Sequence, residues 1–366
     1  MGLIFSRVDN LAHTLVGAAL GRAVGARRVP AAGWIGAIAA NAPDWAEFLV
    51  GFRPDRGNLA YYELHRGVTH AFIGAAVETV AIVVVLLGVF AMRRRLRGLA
   101  VLLGPVVATV AVCVASHVYL DWQGSYGLRP FLPWSGQWYY ADWVAIVDPL
   151  YWLLPLVALA WGANRHWRDL IPLVLVAALI TALLLLRADV VAGWVQGTGF
   201  AILAVGAVGW VRHWFGFAQR SRAAAFALSL LALYAGAQAI ASLPVKAAIR
   251  RAATVRFGPG AQWAALTRVG MPFRWNAMLA SPDTVAGGGW AIPRHLEDPR
   301  VRWALREEPG ARTFAEFARF LAAEVDSGPA GVEVTLRDAR FALPPATGWG
   351  VVTVRLPANR ARLSIP

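Results

Sequence analysis

The sequence predicts a mainly α protein: a polytopic helical membrane bundle of roughly six to eight membrane segments, then a C-terminal extramembrane α+β domain. Three observations predict it. Of the 366 residues 58% are apolar and 15% charged, whereas soluble domains run about 45–50% apolar and about 25% charged. The apolar residues fall in long blocks, several of which reach the ~20 residues that carry a helix across a bilayer core. After Leu243 that texture gives way to Pro/Gly punctuation and ordinary charge density. The same composition excludes a disordered or collagen-like chain. The single cysteine, Cys113, lies inside an apolar run, so no disulfide framework or thiolate cluster exists.

Two short segments come first, residues 11–24 and 33–50. They carry His13, Asp44 and Glu47, and each reads either as a full span or as half of a re-entrant pair. Spans are then expected at residues 71–92, 99–120, 144–161, 170–186, 190–211 and 223–243. The N-terminus lacks a basic stretch ahead of an apolar core, so no cleavable signal is expected. Residues 1–243 thus form the transmembrane domain and 244–366 the extramembrane one. Within the latter, residues 313–325 read as an amphipathic helix, with Thr313 as N-cap and Glu316 completing a capping box. Residues 331–343 and 349–365 alternate apolar and polar side chains, as strands do.

The net charge of +14 rests almost wholly on arginine, Lys246 being the only lysine. Topology accounts for it, because cytoplasmic loops are enriched in Lys and Arg. Arg22, Arg27 and Arg28, then Arg93, Arg94, Arg95 and Arg97, then Arg165 and Arg168, then Arg212, Arg220 and Arg222 occupy alternate connections. The intervening loops hold Arg129 and Arg187. This pattern places both termini, and the C-terminal domain, on the periplasmic side of a bacterial-type inner membrane. No nucleic-acid partner is expected.

Ionisable residues in membrane segments are costly and mark function by default. Here they gather at one expected face. Asp9 and His13 stand four residues apart, as do His117 and Asp121, and i,i+4 pairs share one helix face. Asp44 and Glu47 close the second segment, His65-Arg66-Gly67-Val68-Thr69-His70 precedes the third, and Asp148 falls one turn into the expected 144–161 span. Thr69 reads as the N-cap of the following helix, and Gly67 as the residue that frees the backbone to turn both rings inward. Imidazole and carboxylate are the ligands of zinc and related divalent ions. His166 and His213 fall on the other side, and His295 lies in the C-terminal domain.

Asp9-Asn10-Leu11-Ala12-His13, Ala42-Pro43-Asp44, the His65–His70 motif, His117-Val118-Tyr119-Leu120-Asp121 and Val147-Asp148-Pro149, in this order, resemble the YdjM/YbcI-type inner-membrane metal-dependent hydrolase family. The likeness covers roughly residues 1–160. Two positions depart from it: Ala46 stands where the family often has a second acid, with Glu47 as a partial substitute, and Ala71 replaces the serine that usually follows the histidine motif. The order of His, Asp, His and HxxxD is also similar, in spacing alone, to the zinc-dependent phospholipase C and nuclease group.

The resemblance implies a metal-activated water acting on a phosphoester or related ester at the membrane interface. It implies His13, Asp44, His70, His117 and Asp121 as ligands of one to three divalent ions, zinc first and manganese second. His65 is expected as a ligand or as proton donor to the leaving group, and Arg66 as the phosphate anchor. Asp9, Asp148 and Glu47 are expected to orient the ligands from behind. The expected partners are membrane lipid and an amphiphilic phosphoester, with residues 244–366 as a protein-docking surface. Trp122, Tyr126, Trp134, Trp138, Tyr139, Tyr140 and Trp143 read either as a headgroup-level aromatic belt or as the lining of a cleft at that depth. A non-catalytic scaffold and a transporter are the alternatives. A transporter would place its polar groups near the midplane and show repeated halves.

Overall fold

A seam of glycines opens the fold. In the computed structural model, which describes residues 2–45, 62, 66–92, 99–164, 166–328 and 331–356, helix α1 (Gly2–Gly25) is followed by a short returning helix, α2 (Ala32–Ala39). Side chains are described from residue 10 on, apart from those of 99–101. Asp9's side chain, Glu47, His65, Arg93, Arg94, Arg95, Arg97 and Arg165 lie outside the described residues.

A Cβ on Gly36 would stand 2.1 Å from the Gly17 carbonyl oxygen, and one on Gly21 2.1 Å from that of Ala32. Only glycine lets the two backbones meet this closely, as small-residue seams do between membrane helices. Eight residues of α2 rise about 12 Å, far short of a bilayer core. Residues 33–45 therefore do not cross it, and residues 46–50 lie outside the described residues. The segment turns back after α2 and runs into a 3-10 turn, Ala42–Asp44, opened by Pro43.

Five described helices are long and apolar enough to cross a membrane: α3 (Phe72–Met92), α4 (Leu99–Gln123), α6 (Trp167–Leu186), α7 (Gly193–Val211) and α8 (Arg220–Phe257). Val77, Val80, Val84 and Val85 of α3 are all exposed, a surface that suits hydrocarbon and not water.

The expected 144–161 span is shorter than its apolar run. Its helix, α5, covers only Leu150–Trp161, with Pro149 as the residue that opens it. Ahead of it the chain folds back over the end of α4. The amides of Ala141, Trp143 and Val144 donate to the carbonyls of Trp122 and Gln123, which have no partners within their helix. Asp148 therefore precedes the helix and accepts from the Leu150 N–H at 3.0 Å.

The C-terminal domain begins later than the change of texture suggests. Helix α8 runs unbroken for 38 residues through Pro244, so the 243/244 boundary falls inside it. Its length of about 57 Å overshoots a bilayer core. Its last turns carry Ile249 and Ala253 against Ala265 and Leu279 of the first sheet, and Gly258, at φ 87°, ends it.

That sheet is an antiparallel meander of β1 (Gln262–Thr267), β2 (Trp275–Ala280), β3 (Thr284–Gly287) and β4 (Trp290–Pro293). Helices α9 (Pro299–Glu307) and α10 (Pro309–Phe317) lead to a second antiparallel sheet, β5 (Leu321–Gly328), β6 (Gly331–Asp338) and β7 (Val351–Arg355). The expected 313–325 helix is corrected here. Pro309 opens α10 four residues before Thr313, and residues 321–325 pair with β6, Val325 opposite Val334. Sheet pairing overrides the capping pattern there.

The domain docks on the end of the bundle where α4 finishes. The Arg319 guanidinium holds the Asp142 carboxylate at 3.1 Å, and Arg340 Nη1 donates to the carbonyls of Ser125 (3.0 Å) and Tyr126 (3.1 Å). Tyr62, Tyr126 and Trp138 pack against Phe317, so these aromatics form an interdomain core and not a lipid belt. At the opposite end, Arg22 Nη1 donates to the Leu159 carbonyl and Arg220 Nη2 to that of Ala26, both at 2.7 Å, while Arg27, Arg28, Arg168, Arg212 and Arg222 are exposed. The described basic connections thus cluster away from the docked domain.

Candidate metal centre

Four separate stretches of chain deliver the polar side chains buried near the end of α4. His13 comes from the middle of α1, and Asp44 from the turn after α2. His70 ends the 3-10 turn Val68–His70, and His117 and Asp121 share one face of α4. All five are at least 93% buried. Such groups are rarely buried unless paired or coordinating.

Their atoms converge. His70 Nε2 lies 3.1 Å from His117 Nε2, 3.3 Å from Asp44 Oδ1 and 3.2 Å from Asp121 Oδ2. His117 Nε2 lies 3.4 Å from Asp44 Oδ1 and 3.6 Å from Asp121 Oδ2. Ligands held at 2.0–2.1 Å from a tetrahedral ion stand about 3.3–3.4 Å apart, so the donor set fits a zinc-like cation. His13 Nε2 approaches the other oxygen of the same carboxylate, Asp121 Oδ1, at 3.4 Å, and its ring stacks on that of His117 at 3.9 Å between centroids. His13, His117 and Asp121 form one possible ligand group and Asp44, His70 and His117 another, with His117 common to both.

Neighbours fix which ring nitrogen faces inward. His117 Nδ1 bonds the Ala40 carbonyl at 2.7 Å, and His70 Nδ1 bonds Thr69 Oγ1 at 3.0 Å, leaving both Nε2 atoms for the centre. Thr69 therefore orients an imidazole where the sequence reading made it an N-cap; α3 starts later, at Phe72. The Ala40 carbonyl is in place because the α1–α2 seam is tight, and Asn41 ties that seam by bonding Thr14 Oγ1 at 3.0 Å and the Ala37 carbonyl at 2.7 Å.

His70 and the Asp44 turn lie outside the membrane-crossing helices. Burial pushes the His70 imidazole down, but Asp121 and Asp44 outweigh it and hold its pKa above the usual histidine value. Burial likewise pushes the Asp44 carboxyl up, and His117 and His70 reverse this, holding it well below the usual carboxylate range.

Arg66 is 2% exposed. Its Nη2 lies 2.9 Å from Asp121 Oδ1, its Nη1 donates to the carbonyls of Asp121 and Gly127, and its guanidinium lies 4.6 Å from the centroid of the Tyr126 ring. It braces the Asp121 carboxylate. The left-handed backbone also falls on Arg66, at φ 50°, and not on Gly67, at φ −81°. Asp148 is engaged elsewhere: Tyr234 Oη donates to it at 2.6 Å and Gln238 Nε2 at 3.3 Å, so its carboxylate ties the loop to α8.

The sequence reading gives no role to Glu78, the one carboxylate of α3. Among the described residues its Oε2 is buried without a hydrogen-bond partner, and His70 and Asp44 are the charged groups that act on it. An acid inside an otherwise apolar span was the available signal.

The family model described as YdjM inner membrane protein matches residues 8–191, which include every member of this cluster. No curated protein and no solved structure matches the chain.

Proposed function

Because the chain belongs to the YdjM inner membrane protein family, we propose that it is a membrane-bound metal-dependent hydrolase of phosphoesters or related esters at the bilayer interface. The observation that carries this reading is the meeting of Asp44, His70, His117 and Asp121 atoms at separations of 3.1–3.6 Å, from segments far apart in sequence. Asp44, His70 and His117 could together hold one ion, and three protein ligands of imidazole and carboxylate type with a fourth position left for water are the arrangement of a catalytic zinc centre.

A divalent ion held there supplies Lewis-acid polarisation of a carbonyl or phosphoryl oxygen and makes water a usable nucleophile near neutral pH. The chain's own residues do the rest. Asp44 and Asp121 bring the negative charge that binds the ion, and Ala40 and Thr69 keep the Nε2 atoms of His117 and His70 directed inward. Arg66 places a positive charge beside Asp121 Oδ1, which disfavours a second cation at that oxygen and argues for a single ion. His65 stays the proposed proton donor from the sequence motif.

The exposed side chains of Phe72 and Phe131, in ring contact at 5.5 Å, flank the same end of the bundle and suit an amphiphilic substrate. The arginine-rich connections at the other end support a periplasmic site and C-terminal domain.

The test compares zinc-loaded and chelator-stripped full-length protein in detergent on a panel of phosphodiesters and carboxylic esters. Turnover should vanish on chelation, return with zinc, and be absent in Asp121→Asn. Equal turnover in stripped protein, or none across the panel, would contradict the reading.

A further inference from the structure

Beside the metal cluster lies a small cavity of about 30 Å³ that opens to solvent, and Arg66, Asp121, Gln123, Asp148 and Tyr151 are among its lining residues. Gln123 is 1% exposed. Its Oε1 accepts a hydrogen bond from the Tyr151 hydroxyl, which orients the amide. Its Nε2 is buried and has no hydrogen-bond partner among the described residues. A buried donor left unsatisfied costs about 1–3 kcal/mol, and such groups persist where a ligand completes them.

That amide calls for an acceptor that the protein does not supply. Asp121 already faces Arg66, His13 and His70, and Asp148 is engaged by the Leu150 N–H, Tyr234 and Gln238. Arg66 balances the charge of Asp121, whereas the partners of Asp148 are neutral and leave its charge in place. A divalent ion at the neighbouring cluster would supply the positive charge that an anion beside them needs. Gln123 also sits two residues beyond Asp121 on the last turn of α4, and its carbonyl accepts from Trp143 and Val144, which fixes its backbone.

We propose that this cavity is the substrate subsite of the hydrolase, in which Gln123 Nε2 donates to a phosphoryl oxygen beside the metal ligand Asp121. The proposal rests on the metal-dependent reading above and adds a substrate-binding residue and a phosphate chemistry to it. Tyr151 acts as the positioning residue, because loss of its hydroxyl frees the amide to rotate while leaving the donor present.

Binding to full-length zinc-loaded protein in detergent is measured calorimetrically with two probes, inorganic phosphate and short-chain dihexanoyl phosphatidic acid. Gln123→Met keeps the side-chain length without the donor and should weaken both probes roughly tenfold with zinc content unchanged. Tyr151→Phe, which retains the amide, should weaken them by a smaller factor of about threefold. Tighter binding of the phosphatidic acid would identify a lipid headgroup as the source of the phosphate, and equal binding a free phosphate. Unchanged affinities in a zinc-replete, folded Gln123→Met protein, or no binding of either probe by zinc-loaded wild type, would overturn the subsite. A wild type that holds no zinc would overturn the metal reading instead. The subsite would then still stand or fall on whether Gln123→Met weakens phosphate binding to the ion-free protein.

Discussion

Replacing Gly36 by alanine perturbs the metal centre without touching a ligand. The added Cβ would stand 2.1 Å from the Gly17 carbonyl oxygen, 2.9 Å from Gly21 Cα and 3.0 Å from the Gly17 carbonyl carbon. Every one of these is backbone, so no side chain can swing aside. Restoring an ordinary contact of about 3.4 Å requires α2 to withdraw by about 1.3 Å. The same helix carries, at its end, the Ala40 carbonyl that His117 Nδ1 reaches at 2.7 Å, and the turn that holds Asp44. A shift of that size takes the bond past 3.5 Å, beyond hydrogen-bonding range. Overpacking should cost about 1–3 kcal/mol of stability, and loss of the orienting bond should weaken zinc binding about 10–100-fold. Competition titration against a chromophoric chelator reads the affinity directly. Gly88→Ala is the control, since no atom of the described residues lies within 4 Å of a Cβ there. Wild-type zinc affinity in Gly36→Ala, or an equal loss in Gly88→Ala, would refute the proposed coupling of helix seam to metal site.

Three further outcomes follow from the same geometry. Asp44 and Asp121 hold the His70 pKa above its usual value, so a bound ion must displace that proton. Apparent zinc affinity should therefore fall about tenfold per pH unit below the raised pKa, while ion-free stability changes the other way and is lost as pH rises through it. Potentiometric or chelator-buffered titrations between pH 5 and 8 check both signs. Thr69→Val removes the hydroxyl 3.0 Å from His70 Nδ1 and should lower zinc affinity about tenfold, with Thr69→Ser restoring it in the same assay. Phe317→Ala empties the interdomain core, where its ring meets Tyr62 at 4.9 Å and Tyr126 at 5.1 Å. It should cost about 3–5 kcal/mol and make the C-terminal domain more sensitive to limited proteolysis.

The clustered histidines and carboxylates were legible in the sequence because scarcity makes them conspicuous. In so apolar a chain, His117 and Asp121 at i,i+4, His70 ahead of a span and Asp44 after Pro43 can share one membrane face, and the fold brings them together. What holds them was not legible. The Ala40 carbonyl has no sequence signature, and a loop arginine such as Arg66 reads as a solvated or anion-binding group until its burial beside Asp121 is known. Asp148 carried a membrane-acid signal and proved to cap a helix and tie it to α8, a role that the neighbouring proline suggested. In the C-terminal domain, β6 was readable from its alternation. Residues 321–325 were drawn into a helix by the Thr313 and Glu316 pattern, although their partners lie on β6. The first sheet was missed because β3 and β4 each offer only four residues, too few to show a period.

Metal content of the purified protein tests the central claim most directly. Elemental analysis of full-length wild type, His70→Ala and His117→Ala in detergent, after exposure to equimolar zinc and gel filtration, should give about one ion per chain in the wild type and almost none in either variant. The same small, substoichiometric content in all three proteins would contradict the metal centre and the hydrolase built on it.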